Sequence, residues 1–307
     1  MSLLPVLSPW QQRAYDHAAA AIDAGHFGHA TLITGPALIG KRLVAEHLAR
    51  RVLCQSRRAD GEACGQCKGC SLFASRAQYE PLETRPDGSP SHPWGHSAHP
   101  DLLMVGYEVN AKTGKPRGEL VIEQIRTLSE KLTLTAQRDG AQVAIVDPAD
   151  AINWNAFNAL LKTLEEPQPG RYLWLLSSNP ARLPATIRSR CQRLDVRLPP
   201  HEEALAWLLS RGHAAKVAGE ALEAARGHPG LADAWASGDG LALRRAVADD
   251  ARSLARGQAA VGEVAQRWVA DGRASERLQH LADLALHEAA GLTDPAATRT
   301  LAARFDA

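Results

Sequence analysis

Cys54, Cys64, Cys67 and Cys70 follow one another as C-x9-C-x2-C-x2-C. A tetrahedral Zn²⁺ takes thiolate sulfurs at about 2.3 Å, and each C-x2-C turn delivers two of them from one knuckle. Gly61, Gly65 and Gly69 permit the tight turns this requires. With all four positions filled by protein, the expected zinc is structural and has no open position for catalysis. A second constellation is Gly35-Pro36-Ala37-Leu38-Ile39-Gly40-Lys41-Arg42, which meets the spacing G-x4-G-K. In such a loop, backbone N–H groups and the following helix N-terminus face a phosphate, and the lysine adds charge. The residue after the lysine should be Ser or Thr to hold Mg²⁺, and here it is Arg42. Asp147 closes an apolar run at residues 143–146, at the strand end where parallel α/β sheets gather their chemistry. Gly35, Gly40, Lys41 and Asp147 therefore outline a degenerate nucleotide site. ATP or ADP binding without hydrolysis and a plain strand-to-helix turn are both open for it.

Residues 79–100 are rich in Pro, Gly, Ser and His. His92, His96 and His99 have the chemistry of a second metal site, but the prolines and glycines between them predict an irregular, solvated insertion. Cys191, the odd thiol, reads as a small buried residue.

The elements that position these groups follow from pattern. Ser8-Pro9-Trp10-Gln11 is a helix start, with Ser8 at the N-cap, Pro9 at the first helical position and Gln11 completing a capping box. The helix should run to about Asp23 and give way to a strand at residues 30–34, the glycine loop, and a helix at about 41–53. Strands are predicted at 102–105, 143–147 and 172–178, and a helix at 122–132 carries Ile122, Ile125, Leu128 and Leu132 at helical spacing. Ala156, Ala159, Leu160, Thr163 and Leu164 form the apolar stripe of a further helix stopped by Pro167, so residues 143–191 contain a β-α-β unit. Beyond Leu198-Pro199-Pro200 the chain reads as helices only, at about 202–210, 214–226, 231–236, 241–256, 259–270, 274–290 and 295–305.

Asn158-Ala159-Leu160-Leu161-Lys162-Thr163-Leu164-Glu165-Glu166-Pro167, followed by Ser189-Arg190-Cys191 before a strand, resembles the AAA+ module of bacterial clamp-loader subunits. The resemblance covers roughly residues 10–200 and implies an α/β fold: a P-loop-type parallel sheet module with an inserted four-cysteine zinc module. A small helical lid and an all-α collar should follow. The implied division is 1–198 for the module, with the zinc insertion at about 54–77, then 199–238 for the lid and 239–307 for the collar. In such subunits the arginine of the Ser189-Arg190-Cys191 motif reaches the γ-phosphate bound by a neighbour, and a guanidinium's rigid fork of donors suits that task. Active members follow the strand-end aspartate with a glutamate that orients water, whereas Pro148 follows Asp147 here. They also carry an arginine on the lid helix, where Leu231 and Ala232 stand here. The implied function is a non-hydrolysing stator. Its partners would be a gamma- or tau-type motor subunit and the delta subunit, with the sliding clamp and primed DNA reached through the complex.

Composition is compatible with this. The chain has 307 residues, enough for two or three domains, and 35 basic against 34 acidic side chains leave a net charge of +1, so no global field recruits nucleic acid. Residues 1–9 lack the pattern of a secretory signal, and no apolar run approaches the roughly 20 residues of a membrane span, so a cytoplasmic protein is expected. Two rival readings are an active motor-type clamp-loader ATPase and a zinc-ribbon nucleic-acid-binding protein. The first predicts ATP turnover by the lone chain, and the second predicts salt-dependent DNA binding that is lost with Cys64 and Cys67.

Overall fold

In the computed structural model, residues 4–110, 112–138 and 140–292 are described. The elements in chain order are α1 (Pro9–Asp23), β1 (Ala30–Thr34), α2 (Lys41–Val52), α3 (Lys68–Ala74), β2 (Arg76–Ala77), β3 (His96–Ser97), β4 (Leu102–Val105) and α4 (Ile122–Thr133). They continue with β5 (Gln142–Val146), α5 (Trp154–Glu165), β6 (Arg171–Ser177), α6 (Ala185–Arg188) and β7 (Gln192–Asp195). The all-helical remainder is α7 (His201–Ser210), α8 (Ala215–Ala224), α9 (Pro229–Ser237), α10 (Gly240–Ala255), α11 (Val261–Val269) and α12 (Ala274–Leu292).

Five strands form one parallel sheet in the order β4-β5-β6-β1-β7. Every residue of β1 and β5 is buried, which is why their sequences run apolar without alternation: helices cover both faces. One face packs Ile33, Ile145, Trp174 and Leu176 against Val44 and Leu48 of α2 and Ala18 of α1. The other packs Leu32, Ala144 and Leu175 against Ile125 of α4 and Leu160 of α5. Asn153 caps α5, its side-chain oxygen accepting from the Ala156 N–H at 2.9 Å. On the predicted stripe, Ala156, Leu160 and Leu164 are fully buried and Ala159 and Thr163 half-buried. Leu160→Ala should therefore leave a cavity under the sheet and cost about 2–5 kcal/mol, read as a lowered midpoint in urea denaturation. A change below about 1 kcal/mol would contradict this packing.

The chain divides into two compact units, one comprising residues up to Trp207 with Gly227–Gly230, the other Leu208–Arg226 and residues from Leu231 on. In the second unit, Val247, Val264 and Trp268 form a small core with half-buried Leu254, Leu281 and Leu284. The helix expected at 295–305 lies outside the described residues. Among those described, no helix is long and apolar enough to cross a membrane.

One expectation holds only in part: residues 79–82 and 86–90 are exposed, as a solvated insertion should be, but Ser91, His92 and His99 are buried and Trp94 packs against the α2 side of the core. Apolar packing holds Trp94, and hydrogen bonds from Arg42 hold Ser91 and His92.

Candidate functional site: a closed phosphate loop and a four-cysteine cluster

The glycine loop connects β1 to α2. Gly40 sits at φ 95°, where a Cβ would lie 1.9 Å from the Gln11 side chain, so only glycine fits. Two side chains of α1 hold the loop: Trp10 Nε1 and Gln11 Nε2 donate to the Ile39 carbonyl at 3.1 and 3.0 Å. Gln11 also accepts from the Ser8 N–H at 2.8 Å, which makes one half of the predicted capping box. From the other side Gly230 approaches so closely that a Cβ there would lie 2.1 Å from the Leu38 carbonyl oxygen.

Lys41 does not reach outward. Its Nζ donates to the carbonyls of Gly35 at 2.8 Å and Pro36 at 2.7 Å and to Ser178 Oγ at 2.9 Å, which are three acceptors for three donors. Burial lowers its pKa to about 8, opposed by Asp147 and Asp150, so it remains charged at neutral pH.

Arg42, where a Mg²⁺-binding hydroxyl would stand, is buried and fully engaged. Its Nε donates to Glu46 Oε1 at 3.0 Å, Nη1 to the Ser91 carbonyl and to Asp147 Oδ2 at 3.4 Å, and Nη2 to His92 Nδ1 at 2.7 Å. Arg85 Nη2 adds a second ion pair to Asp147 Oδ2 at 2.8 Å. Arg76 pairs with the remaining Glu46 oxygen at 2.6 Å. Asp147 Oδ2 thus carries two guanidinium groups. Asp150, the nearest other acid, accepts from Ser177 Oγ and from the N–H groups of Ser178 at 2.7 Å and Asn179 at 3.1 Å, so it ties down the end of β6.

The four cysteines converge between α2 and α3. Their Sγ atoms all lie within 4.8 Å of one another. Cys54 is 3.6 Å from Cys64 and 3.8 Å from Cys67, and Cys64 is 4.0 Å from Cys70. Sulfurs at 2.3 Å from one tetrahedral centre would be about 3.8 Å apart, so these residues fit a four-thiolate divalent site. Backbone N–H groups of Gln66, Cys67 and Cys70 point at sulfur at 3.3–3.4 Å, an arrangement that favours thiolate. The cluster is anchored to α1 and α2 through Glu62, which accepts from Tyr15 Oη at 2.6 Å and from Arg51 Nη1 at 2.6 Å.

Glu83, His92 and His96 form a second group with ligand atoms close together. It differs from the trio of histidines read from sequence: His99 sits elsewhere, its Nδ1 accepting from the Asp101 N–H at 3.2 Å. Because His92 Nδ1 accepts from Arg42, its proton is on Nε2, facing Glu83, and Nε2 has no lone pair for a metal.

Arg190 follows α6 and lies apart from these groups in its bonding. Nη2 pairs with Glu165 Oε1 at 2.8 Å and Nη1 donates to the Thr186 carbonyl at 3.0 Å. Its side chain is 38% exposed. Ser189 Oγ also donates to the Thr186 carbonyl at 3.2 Å, and Cys191, read from sequence as a small buried residue, is half-buried, its thiol raised by burial to about 11.

The sequence profile of the family described as DNA polymerase III, delta subunit, matches residues 10–200. The chain belongs to that family. Among its relatives, the DNA polymerase III subunit delta' of Pseudomonas aeruginosa is 36% identical over 263 residues, covering 85% of this chain and 70% of that protein. The Escherichia coli K12 subunit delta' is 31% identical over 242 residues, covering 78% of this chain and 64% of its own length. A solved structure of a DNA polymerase III gamma subunit-related protein from Thermotoga maritima aligns at 18% identity with a TM-score of 0.41, over 76% of this chain and 62% of that one. The delta-family match covers the glycine loop, the cysteine cluster and the Ser189-Arg190-Cys191 motif together.

The groups that sequence reasoning missed are Glu83, Arg85 and Ser91, and for His92 it missed the bond to Arg42. The one signal that pointed toward them is Arg42 itself: a cation in the first turn of a core helix must find partners.

Proposed function

We propose that this chain is a non-hydrolysing AAA+ subunit of a bacterial sliding-clamp loader, a stator that lends Arg190 in trans to the ATP site of a gamma- or tau-type neighbour. The supporting observation is that Arg42 and Arg85 hold the Asp147 carboxylate where a nucleotide engine would hold Mg²⁺. Phosphoryl transfer depends on that metal and on a positioned water, and neither has a seat here. The exposed arginine with its detachable partner Glu165 is what a finger in trans requires. On this reading the second unit supplies lid and collar, the delta subunit completes the ring, and the clamp and primed DNA are reached through the assembly. Cys54, Cys64, Cys67 and Cys70 hold a structural zinc, which clips the segment between α2 and α3 without taking part in chemistry.

The purified chain with Mg²⁺ and ATP should show no turnover above buffer, and Lys41→Ala should change nothing, because Lys41 already spends its donors on its own loop. Appreciable hydrolysis abolished by Lys41→Ala would replace the stator with an active motor.

A further inference from the structure

Residues 79–100 supply partners to Arg42 and Asp147 beside the glycine loop. Arg85 reaches Asp147 Oδ2 at 2.8 Å, the Ser91 carbonyl accepts from Arg42 Nη1, and His92 Nδ1 accepts from Arg42 Nη2 at 2.7 Å. A guanidinium cannot give up its proton, so His92 is held as the Nε2–H tautomer. Its Nε2 lies 3.4 Å from Glu83 Oε2, which also receives His96 Nε2 at 2.9 Å. The His96 ring stacks on Tyr79 at 3.8 Å and lies 3.9 Å from the His92 ring, tilted by 35°. Burial and the surrounding arginines push the His92 pKa to about 2, so this brace stays neutral at every physiological pH. The insertion therefore holds Arg42 at two points of its guanidinium, the Ser91 carbonyl on Nη1 and His92 Nδ1 on Nη2, while Glu46 takes Nε and Asp147 shares Nη1.

We propose that the insertion is an internal plug: Arg85, Ser91 and His92 hold guanidinium charge beside Asp147 where a divalent cation would sit, and removing that charge opens the loop to Mg²⁺-nucleotide. The inference deepens the non-hydrolysing reading by naming the segment that enforces it. Two unit charges within a few ångströms repel an incoming divalent cation by orders of magnitude in affinity at a largely buried site. The same two arginines both sit on Asp147 Oδ2, an oxygen that an incoming cation would have to take from them. The insertion thus does by intramolecular contact what loss of the hydroxyl alone would do only in part.

The test is Mg²⁺-dependent binding of a fluorescent ATP analogue by the full chain, as wild type and as Arg42→Thr/Arg85→Ser. The double variant should bind at least about tenfold more tightly than wild type, only with Mg²⁺, and lose the gain when Lys41→Ala is added. A double variant that is folded by circular dichroism and does not gain binding overturns the plug while leaving the stator reading intact, because that reading is decided by ATP turnover of the wild type and by Arg190→Ala in the reconstituted loader. Should the double variant not fold, Arg85→Ser alone decides through Mn²⁺ affinity measured by paramagnetic relaxation, its side chain being 29% exposed. A gain of several-fold or more supports the plug, and affinity equal to wild type overturns it.

Discussion

Arg190→Ala should leave the chain folded and assembled while lowering ATP turnover at the adjoining site by roughly 10³- to 10⁵-fold, the range found for arginine fingers supplied in trans. The stability side is small because the side chain is part-exposed and its pair with Glu165 is a surface ion pair, worth up to about 1 kcal/mol. The kinetic side is large because phosphoryl transfer places charge on oxygens that only a well-placed cation can meet. Arg190→Lys should recover little of the loss, since a single ammonium lacks the fork that meets two oxygens at once. Single-turnover hydrolysis in a loader reconstituted with clamp and primed DNA checks both variants. Turnover unchanged in a complex of normal composition would remove Arg190 from the chemistry.

Metal removal is the second large effect. The purified chain should carry one zinc, released by a thiol-reactive mercurial, and Cys67→Ser should carry none. In isolated modules such a site contributes on the order of 10 kcal/mol, of which this chain loses only the part that orders the segment between α2 and α3. The loss should spread along identified contacts: Glu62 would release Tyr15 and Arg51, leaving Arg51 with Asp23 alone on the face of α1. The expected readout is a lower thermal midpoint with protease cleavage concentrated within 54–77 and an intact parallel-sheet core. A stoichiometry of two zincs would contradict the tautomer argued for His92, and a stoichiometry of zero with unchanged melting would remove the metal altogether.

The parts of this molecule legible from sequence are those whose signal is local. The C-x9-C-x2-C-x2-C spacing brought four sulfurs together as expected, and the stripe of α5 placed Ala156, Leu160 and Leu164 under the sheet. The bounds expected for β1, β4, β5 and β6 were met within one residue because buried parallel strands are continuous apolar runs, whereas the two-residue β2 and β3 were not foreseen. The plug was not legible, because its meaning comes from distance along the chain. Arg85 meets Asp147 across 62 residues, and its Pro-, Gly- and Ser-rich surroundings carry only the punctuation of a loop. His99, grouped with its neighbours by spacing, turned out to serve the Asp101 backbone, since irregular backbone has no period from which to infer a shared face. The departures at Arg42 and Pro148 were legible as losses. That Arg42 is also a gain, the centre of a buried charge network, needed the fold.

The most direct measurement is a high-resolution structure of this chain assembled with motor and delta subunits around a non-hydrolysable ATP analogue. The account predicts the Arg190 guanidinium released from Glu165 and within hydrogen-bond distance, about 2.7–3.1 Å, of the neighbour's γ-phosphate, with Arg42 and Arg85 still on Asp147. Arg190 still paired with Glu165, or Mg²⁺-nucleotide seated on Lys41 of this chain, would contradict it.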